Sequence, residues 1–178
     1  MSAKLIVADA GPLIALAVGG VLPACVQMLG GLAVPEAVLL ECTADPSAPG
    51  AAVIGALCSS TAIDIVPQAL LTPLDAAFAQ GLGSGELAVL AYAAEHSLLA
   101  LIDERRARKV AQRLQVAVIG SGTLLAQMVQ LGLLASLEPV FAAWHKHGYF
   151  VSPAVQAQIV QLAGVQAGSP SKRPRRYT

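Results

Sequence analysis

Short apolar runs alternate with longer helical segments along most of the chain. The runs at 4–8, 62–66 and 98–102 have the length and aliphatic content of buried parallel strands, and shorter candidates lie at 32–34 and 116–119. Apolar spacing, with Pro and Gly at the segment ends, predicts helices at 13–18, 21–29, 35–41, 51–59, 73–80, 86–96, 104–114, 120–131, 135–147 and 153–163. Strands that alternate with helices in this way predict an α/β sandwich with a mainly parallel central sheet.

The composition excludes two broad classes of protein. Hydrophobic residues make up 56% of the 178 positions and charged residues 12%, so the chain has enough apolar surface to offset the entropy of folding and is not intrinsically disordered. The three cysteines, Cys25, Cys42 and Cys58, are odd in number and are not spaced like metal ligands. We therefore expect reduced core thiols in a cytoplasmic protein rather than a disulfide scaffold.

The stretch between Asp9 and Glu36 carries no charge and is long enough to raise the question of a membrane span. Pro12, Pro23 and the glycine pairs at 19–20 and 30–31 divide it into short pieces. Asp9 also falls where the apolar core of a secretory signal would lie. We expect a soluble protein with no membrane partner.

The charges are segregated along the chain although they cancel in total. Residues 1–104 carry ten acids and one base, whereas residues 105–178 carry ten bases and one acid. Five of those bases lie between positions 105 and 113. An acidic site beside a basic surface would suit a polyanion held near metal ions, although basic residues on a helix can also form an ordinary solvated face.

Two of the predicted strands end in an acid. Asp9 follows the first strand and Asp103 follows the strand at 98–102. Because ligands of parallel sheets bind beyond the carboxyl ends of the strands, we expect both side chains in one crevice. Glu86 begins an apolar helix after a Gly-rich loop, and Glu41 ends a mostly apolar helix. Four carboxylates brought together would repel one another unless cations lay between them, and Mg²⁺ or Mn²⁺ suits such oxygen ligands.

Each of these acids also has an ordinary structural explanation. Asp9 is placed to cap the helix that contains Pro12, and Asp103 to cap the next basic helix. Glu86 is placed to interact favourably with the dipole of its own helix, and Glu41 is placed to lie on a solvated helix face. The residue pattern alone leaves these alternatives open.

Five segments of the sequence resemble those of PIN-domain proteins. They are VADAGPLIAL (7–16), VPEAVLLE (34–41), LGSGELAVLAYAAE (82–95), LLALIDERRARKVA (98–111) and VIGSGTLLAQMVQLGLL (118–134). Their order is similar to the branch of PIN proteins whose third acid lies in a G-E-x-x-A/V-L segment. On this resemblance, residues 1–135 form a PIN-like nuclease domain and residues 136–167 are a helical extension of the same domain. The polar, basic composition of residues 168–178, which include proline, predicts a disordered tail.

The resemblance implies a three-layer α/β/α sandwich and metal-dependent ribonuclease activity, in many members as the toxin of a toxin–antitoxin pair. Its acidic quartet corresponds to Asp9, Glu41, Glu86 and Asp103, which would be the catalytic and metal-binding residues. Mg²⁺ or Mn²⁺ bound by Asp9, Glu86 and Asp103, with Glu41 as a further ligand or a water-orienting base, would activate water to attack RNA.

Further polar and basic residues lie near the predicted acidic site. Glu104, Ser121 and Thr123 are secondary candidates for metal or water contacts. The basic residues that would approach the RNA backbone are Arg105, Arg106, Arg108 and Lys109.

The resemblance also implies an antitoxin protein as partner and a homodimer. The alternative hypothesis is a catalytically inactive PIN-fold protein that binds an antitoxin, itself or RNA. The Leu/Val-rich helices at 13–29 and 124–134 would then supply partner surface rather than core.

Overall fold

Apolar strands pair in parallel to form the central sheet of the protein. A computed structural model describes residues 6–60 and 62–164 of the chain. The strands in this part are β1 (Ile6–Ala8), β2 (Leu32–Pro35), β3 (Asp64–Val66), β4 (Leu99–Leu101) and β5 (Val118–Ile119). The helices are α1 (Ala10–Val18), α2 (Leu22–Leu29), α3 (Glu36–Thr43), α4 (Ala51–Ser59), α5 (Ala76–Ala79), α6 (Ser84–His96), α7 (Arg105–Arg113), α8 (Ser121–Gln130), α9 (Glu138–Lys146) and α10 (Pro153–Leu162), with a short 3₁₀ helix at Gln68–Leu70.

The order of the strands places β1 at the centre of the sheet. The order is β3-β2-β1-β4-β5, and every pairing is parallel, with Ile6 aligned to Leu32 on one side and to Leu99 on the other. The chain runs outward from β1 through β2 to β3 and then crosses back to β4 on the opposite side. The carboxyl ends of β1 and β4 therefore form the switch point of the sheet, where α/β proteins of this kind bind their ligands.

Helices cover the sheet and give the three-layer α/β/α arrangement that was predicted. Val7, Ala33 and Leu101 have no exposed surface, because the sheet is flanked by helices on both faces. Helix α6 packs on β1, β2 and β4, whereas α1 packs against α3, α4, α8 and α9. The all-parallel sheet and its helical layers confirm the predicted fold class.

The C-terminal helices are anchored to the rest of the fold by side-chain hydrogen bonds. Trp144 of α9 is buried and donates its indole N–H to the carbonyl of Ala15 in α1, at 2.7 Å. The Gln130 amide at the end of α8 donates to the Leu162 carbonyl of α10, at 2.7 Å. These bonds place the two helices against the layer that contains α1 and α8.

Glycine at position 122 lets α10 approach α8 closely. A Cβ atom there would lie 2.8 Å from Cγ1 of Ile159, which is buried in the interface between the two helices. A larger residue at this position would force the Ile159 side chain to shift. The packing of the helical extension thus uses a glycine within the segment at 118–134.

One predicted element is wrong. The helix expected at 73–80 is only the single turn α5, and residues 71–75 have no regular structure. Pro73 restricts the residue before it to extended backbone. Asp75 then caps α5 by accepting the backbone N–H of Ala77 at 2.9 Å, so the helix begins late. The predicted basic tail at 168–178 lies outside the described residues.

The Leu/Val-rich helices contribute mainly to the core. Leu13, Leu16 and Leu22 are fully buried, and so are Leu124 and Leu125. The suggestion that the helices at 13–29 and 124–134 offer their apolar faces to a partner is therefore wrong for most of their length. Within residues 6–60 and 62–164, none of the helices has both the length and the apolar character needed to cross a membrane.

Candidate functional site

Asp9 lies at the switch point, directly after β1. Its backbone N–H donates to the Leu101 carbonyl of β4 at 3.0 Å, which joins the carboxyl ends of the two central strands. The side chain is only 6% exposed, and although Asp9 stands at the N-cap position of α1, it makes no capping hydrogen bond. Helix capping therefore does not account for the burial of this carboxyl group, which needs another reason.

The other three acids of the predicted quartet act on the charge of Asp9. Burial raises the pKa of Asp9 to about 6, and the charges of Glu86, Glu41 and Asp103 act in the same direction. A hydrogen bond from the Ala10 backbone N–H opposes them. Four carboxyl groups from four separate segments thus share one electrostatic environment around a buried member.

Glu41 and Asp9 approach each other over the first turn of α6. A Cβ atom on Gly85 would lie 3.1 Å from Oε2 of Glu41 and 3.7 Å from Oδ1 of Asp9. Gly85 is buried, and it leaves the space that the two carboxylates use. Gly85 was not among the predicted site residues, although its position directly before Glu86 in the Gly-rich loop was an available signal.

The cysteine beside Glu41 remains a protonated thiol. Burial, together with the charges of Glu41 and Asp9, raises the pKa of Cys42 to about 12. Cys25 and Cys42 are buried, Cys58 is half-buried, and all three are free. Their free state and the burial of two of them agree with the prediction of core thiols.

Glu86 has a structural role in addition to its place near Asp9. Its Oε2 accepts the backbone N–H of Gly83 at 2.7 Å, which secures the loop at the start of α6. One of the two carboxylate oxygens of Glu86 therefore stabilises the start of its own helix, as the structural explanation of a first-turn acid expects. The side chain is half-buried, and its charge also contributes to the environment of Asp9.

Asp103 is held in place by Ser121. The Ser121 backbone N–H donates to Oδ1 at 2.9 Å, and the Ser121 hydroxyl donates to Oδ2 at 2.6 Å. Asp103 is not the cap of α7, because Glu104 occupies that position and accepts the Ala107 backbone N–H at 2.9 Å. Of the secondary candidates, Ser121 thus orients an acid of the quartet, whereas Glu104 is engaged as a helix cap.

The four basic residues of α7 that were predicted to contact RNA divide into two pairs. Arg108 donates from Nε to the Ile102 carbonyl at 2.9 Å, and its Nη2 lies 3.7 Å from Oδ1 of Asp103. Arg106 donates to the Gly81 carbonyl at 2.9 Å, in the loop that precedes Glu86. Arg105 and Lys109 are exposed. Two of the four residues expected to approach RNA therefore already bond to the protein around the acids.

The acids are chemically suitable ligands for a divalent cation, but their side chains are not arranged around a common coordination point. Within residues 6–60 and 62–164, no three Asp, Glu, His or Cys side chains are arranged to hold a metal ion as they stand. One oxygen of Glu86 and both oxygens of Asp103 already accept hydrogen bonds. The donor set nevertheless consists of carboxylates, which Mg²⁺ and Mn²⁺ prefer. A cation would offset the cost of burying the Asp9 charge, which is the main cause of its raised pKa, and the smaller repulsion from Glu86, Glu41 and Asp103.

A cavity of about 430 Å³ opens beside Asp103. Its lining includes Arg105 and Thr123 and, from the C-terminal extension, Tyr149 and Phe150. Burial and the charge of Asp103 raise the pKa of the Tyr149 hydroxyl to about 12. Thr123, a secondary candidate from the sequence, thus lines this cavity. Tyr149 was not among the predicted site residues, and no local pattern singles it out.

The sequence matches one family model, described as "DUF3368: PIN domain", over residues 5–165. The match includes the central sheet, all four acids of the quartet and both C-terminal helices. Among curated proteins and among solved structures, none matches the chain significantly.

Proposed function

Because the chain belongs to the PIN-domain family, whose members are typically nucleases, we propose that it is a metal-dependent endoribonuclease. It would hydrolyse RNA phosphodiester bonds with Mg²⁺ or Mn²⁺ as cofactor. The observation that carries this proposal is Asp9, a buried carboxylate with a raised pKa. It makes no capping hydrogen bond to α1 and lies at the switch point among three further acids. A carboxylate in that position is costly to the fold unless it serves a site.

The acids have distinct roles in this proposal. Asp9, Asp103 and Glu86 hold the cation, and Glu41, which is exposed, is a further ligand or orients the attacking water. A bound divalent ion supplies an activated water and stabilises the negative charge that develops on the phosphodiester. Ser121 keeps the Asp103 carboxylate in a single orientation through its two hydrogen bonds.

The exposed basic residues of α7 supply the contacts to the RNA backbone. Arg105 and Lys109 face solvent on the helix that starts after Asp103, so a backbone bound there passes close to the acids. Arg106 and Arg108 hold the Gly81 loop and the end of β4, and they contribute positive charge from those positions. Affinity for RNA should accordingly fall as salt concentration rises.

The experiment that tests the proposal is cleavage of a mixed structured RNA by the purified protein with Mn²⁺, with Mg²⁺ and with EDTA. Asp103→Asn removes a proposed ligand, and Asp64→Asn is the matched control, because Asp64 is an exposed acid on β3. We expect metal-dependent cleavage by the wild type and the control and none by Asp103→Asn. Cleavage that persists in EDTA or in Asp103→Asn would contradict the assignment.

One observation favours the alternative of a catalytically inactive interaction protein. In the part of the chain that the structure describes, the acids do not form a ready-made metal group, and Glu86 and Asp103 already accept hydrogen bonds. Calorimetric titration with Mn²⁺ separates the two hypotheses, because only the nuclease requires cation binding that Asp9→Asn abolishes. A role as the toxin of a toxin–antitoxin pair, an antitoxin partner and a homodimer are supported by the family resemblance alone. A cytoplasmic location is supported only by the cysteine usage and the apolar pattern of the sequence.

A further inference from the structure

The C-terminal extension lines a cavity that begins at a proposed catalytic carboxylate. Asp103 contributes to one part of the 430 Å³ cavity, and Tyr149, Phe150 and Gln158 from the extension contribute to another. The volume lies within the range of small-ligand pockets and exceeds what a bound water or a single ion requires. The lining combines apolar and polar surface, as pockets for small organic ligands do.

Phe150 is the unusual member of this lining. It lies in the segment between α9 and α10 and is 86% exposed, although the neighbouring aromatic residues Trp144 and Tyr149 are buried or half-buried and pack against each other with ring centres 5.4 Å apart. An exposed aromatic ring at the edge of a cavity offers a flat face on which a nucleobase can stack.

The charge and hydrogen-bonding groups around the cavity also suit a nucleotide. Arg105 and Arg108 lie on the side of the cavity formed by α7 and provide positive charge for a phosphate. Thr123 and Gln158 bring a hydroxyl and an amide, which can bond to the edge of a base or to a ribose hydroxyl. A purely apolar ligand would leave the hydroxyl, the amide and the two guanidinium groups without hydrogen-bond partners from the ligand.

We propose that this cavity binds the base and ribose of the nucleotide next to the scissile phosphate, with the base stacked on Phe150. This inference rests on the proposed function, because Asp103 belongs both to the proposed acidic site and to the cavity lining. An RNA cut at the acids would therefore have its neighbouring nucleotide at the cavity. Single-stranded RNA is commonly recognised by an unstacked base held between an aromatic ring and polar side chains. The extension would then select which nucleotide lies beside the cut.

Binding can be tested without catalysis. Trp144 is the single tryptophan of the chain and lines the same cavity, so its fluorescence reports on occupancy. The probes are AMP, GMP, CMP and UMP, with ribose 5-phosphate as the control for phosphate binding alone. We expect a saturable change with at least one nucleotide and binding of ribose 5-phosphate that is weaker on the order of 10-fold, because it lacks the base. Phe150→Ala should weaken that binding on the order of 10-fold.

The matched control is Leu70→Ala, because Leu70 is 64% exposed and lies outside the cavity lining. It should bind the nucleotides as the wild type does. Equal responses to ribose 5-phosphate and to the nucleotides, no response to any nucleotide, or an unchanged affinity in Phe150→Ala would each overturn the base pocket.

Cleavage of an RNA with a randomised segment separates this inference from the proposed function. We expect Phe150→Ala to retain metal-dependent cleavage with lower kcat/KM and a flattened nucleotide preference next to the cut, whereas Leu70→Ala keeps the wild-type preference. Cleavage by Phe150→Ala with an unchanged preference would refute the pocket and leave the nuclease intact. Nucleotide binding that depends on Phe150, in a wild-type protein that cuts no RNA, would refute the nuclease and leave the pocket.

Discussion

Replacement of Asp9 with Asn should reveal how strongly the fold is destabilised by the charge at its centre. The Asp9 carboxyl is 6% exposed, and its pKa is raised from 3.8 to about 6. Between about pH 4 and pH 6 the Asp9 carboxyl is therefore protonated in the native state and ionised in the unfolded chain. Because the native state binds more protons in this window, the stability of the metal-free protein falls as pH rises through it and stays at the lower value above it.

The size of the effect follows from the shift in pKa. One pKa unit corresponds to about 1.36 kcal/mol, so the rise from 3.8 to about 6 amounts to about 3 kcal/mol. Asn carries no charge at any pH and resembles the protonated acid in size and shape. The free energy of unfolding of Asp9→Asn, relative to that of the wild type, should therefore increase by about 2 kcal/mol between pH 4 and pH 7, which covers most of this range.

Urea unfolding at several pH values, followed by circular dichroism in the presence of EDTA, measures this difference directly. The control is Asp64→Asn, whose exposed carboxylate should give a difference from the wild type that changes little with pH. Addition of Mn²⁺ at pH 7 should stabilise the wild type more than Asp9→Asn. A difference between the wild type and Asp9→Asn that does not change with pH would refute the view that Asp9 is a destabilised, charged acid.

Two further substitutions test how the acids are positioned. Ser121→Ala removes the 2.6 Å hydrogen bond from the hydroxyl to Asp103 and keeps the bond from the backbone N–H. RNA cleavage should therefore drop on the order of 10-fold in kcat/KM, while the thermal midpoint stays close to that of the wild type. An unchanged rate would mean that Ser121 does not orient the acid. Gly85→Ala places a Cβ 3.1 Å from Oε2 of Glu41 and should reduce cleavage. Gly55→Ala, whose Cβ would meet nothing closer than 3.9 Å, should leave the rate unchanged and stabilise its helix by about 1 kcal/mol in thermal unfolding. Equal activities in the two glycine variants would contradict the argument from close approach.

The position of the acids relative to the sheet was predictable because strand ends can be read from local sequence. The run before Asp9 and the run before Asp103 are short, apolar and without alternation, which is typical of strands buried on both faces. Parallel pairing then brings their carboxyl ends together, and the structure has β1 and β4 as neighbours. The three-layer fold followed from the same alternation of strands and helices.

The hydrogen bonds of the acids were not predictable, because several partners compete for each carboxylate. Glu86 and Glu104 both lie at the start of a helix, yet Glu86 bonds to the loop before its helix and also acts on Asp9, whereas Glu104 is the cap of α7. Ser121 follows the strand next to that of Asp103, and no local pattern connects the two residues. Such choices depend on backbone positions that only the assembled sheet provides.

The environment supplied by the C-terminal helices was also beyond the sequence analysis. An apolar stripe predicts that α9 and α10 form and that one face is buried, but it does not identify the surface on which they pack. The contact of Trp144 with Ala15, and the approach of α10 to Gly122, bring Tyr149 and Phe150 into the lining of the cavity beside Asp103. These contacts join distant parts of the chain, so periodicity carries no information about them.

The central claim is that the acids around Asp9 form a metal-dependent site for cutting RNA. The most direct measurement is the rate of RNA cleavage as a function of Mn²⁺ concentration, in the wild type and in Asp9→Asn. We predict a saturable, EDTA-sensitive rate for the wild type and a rate on the order of 1000-fold lower for a folded Asp9→Asn at every Mn²⁺ concentration. Equal rates for the two proteins, or a wild-type rate that does not depend on Mn²⁺, would contradict the claim.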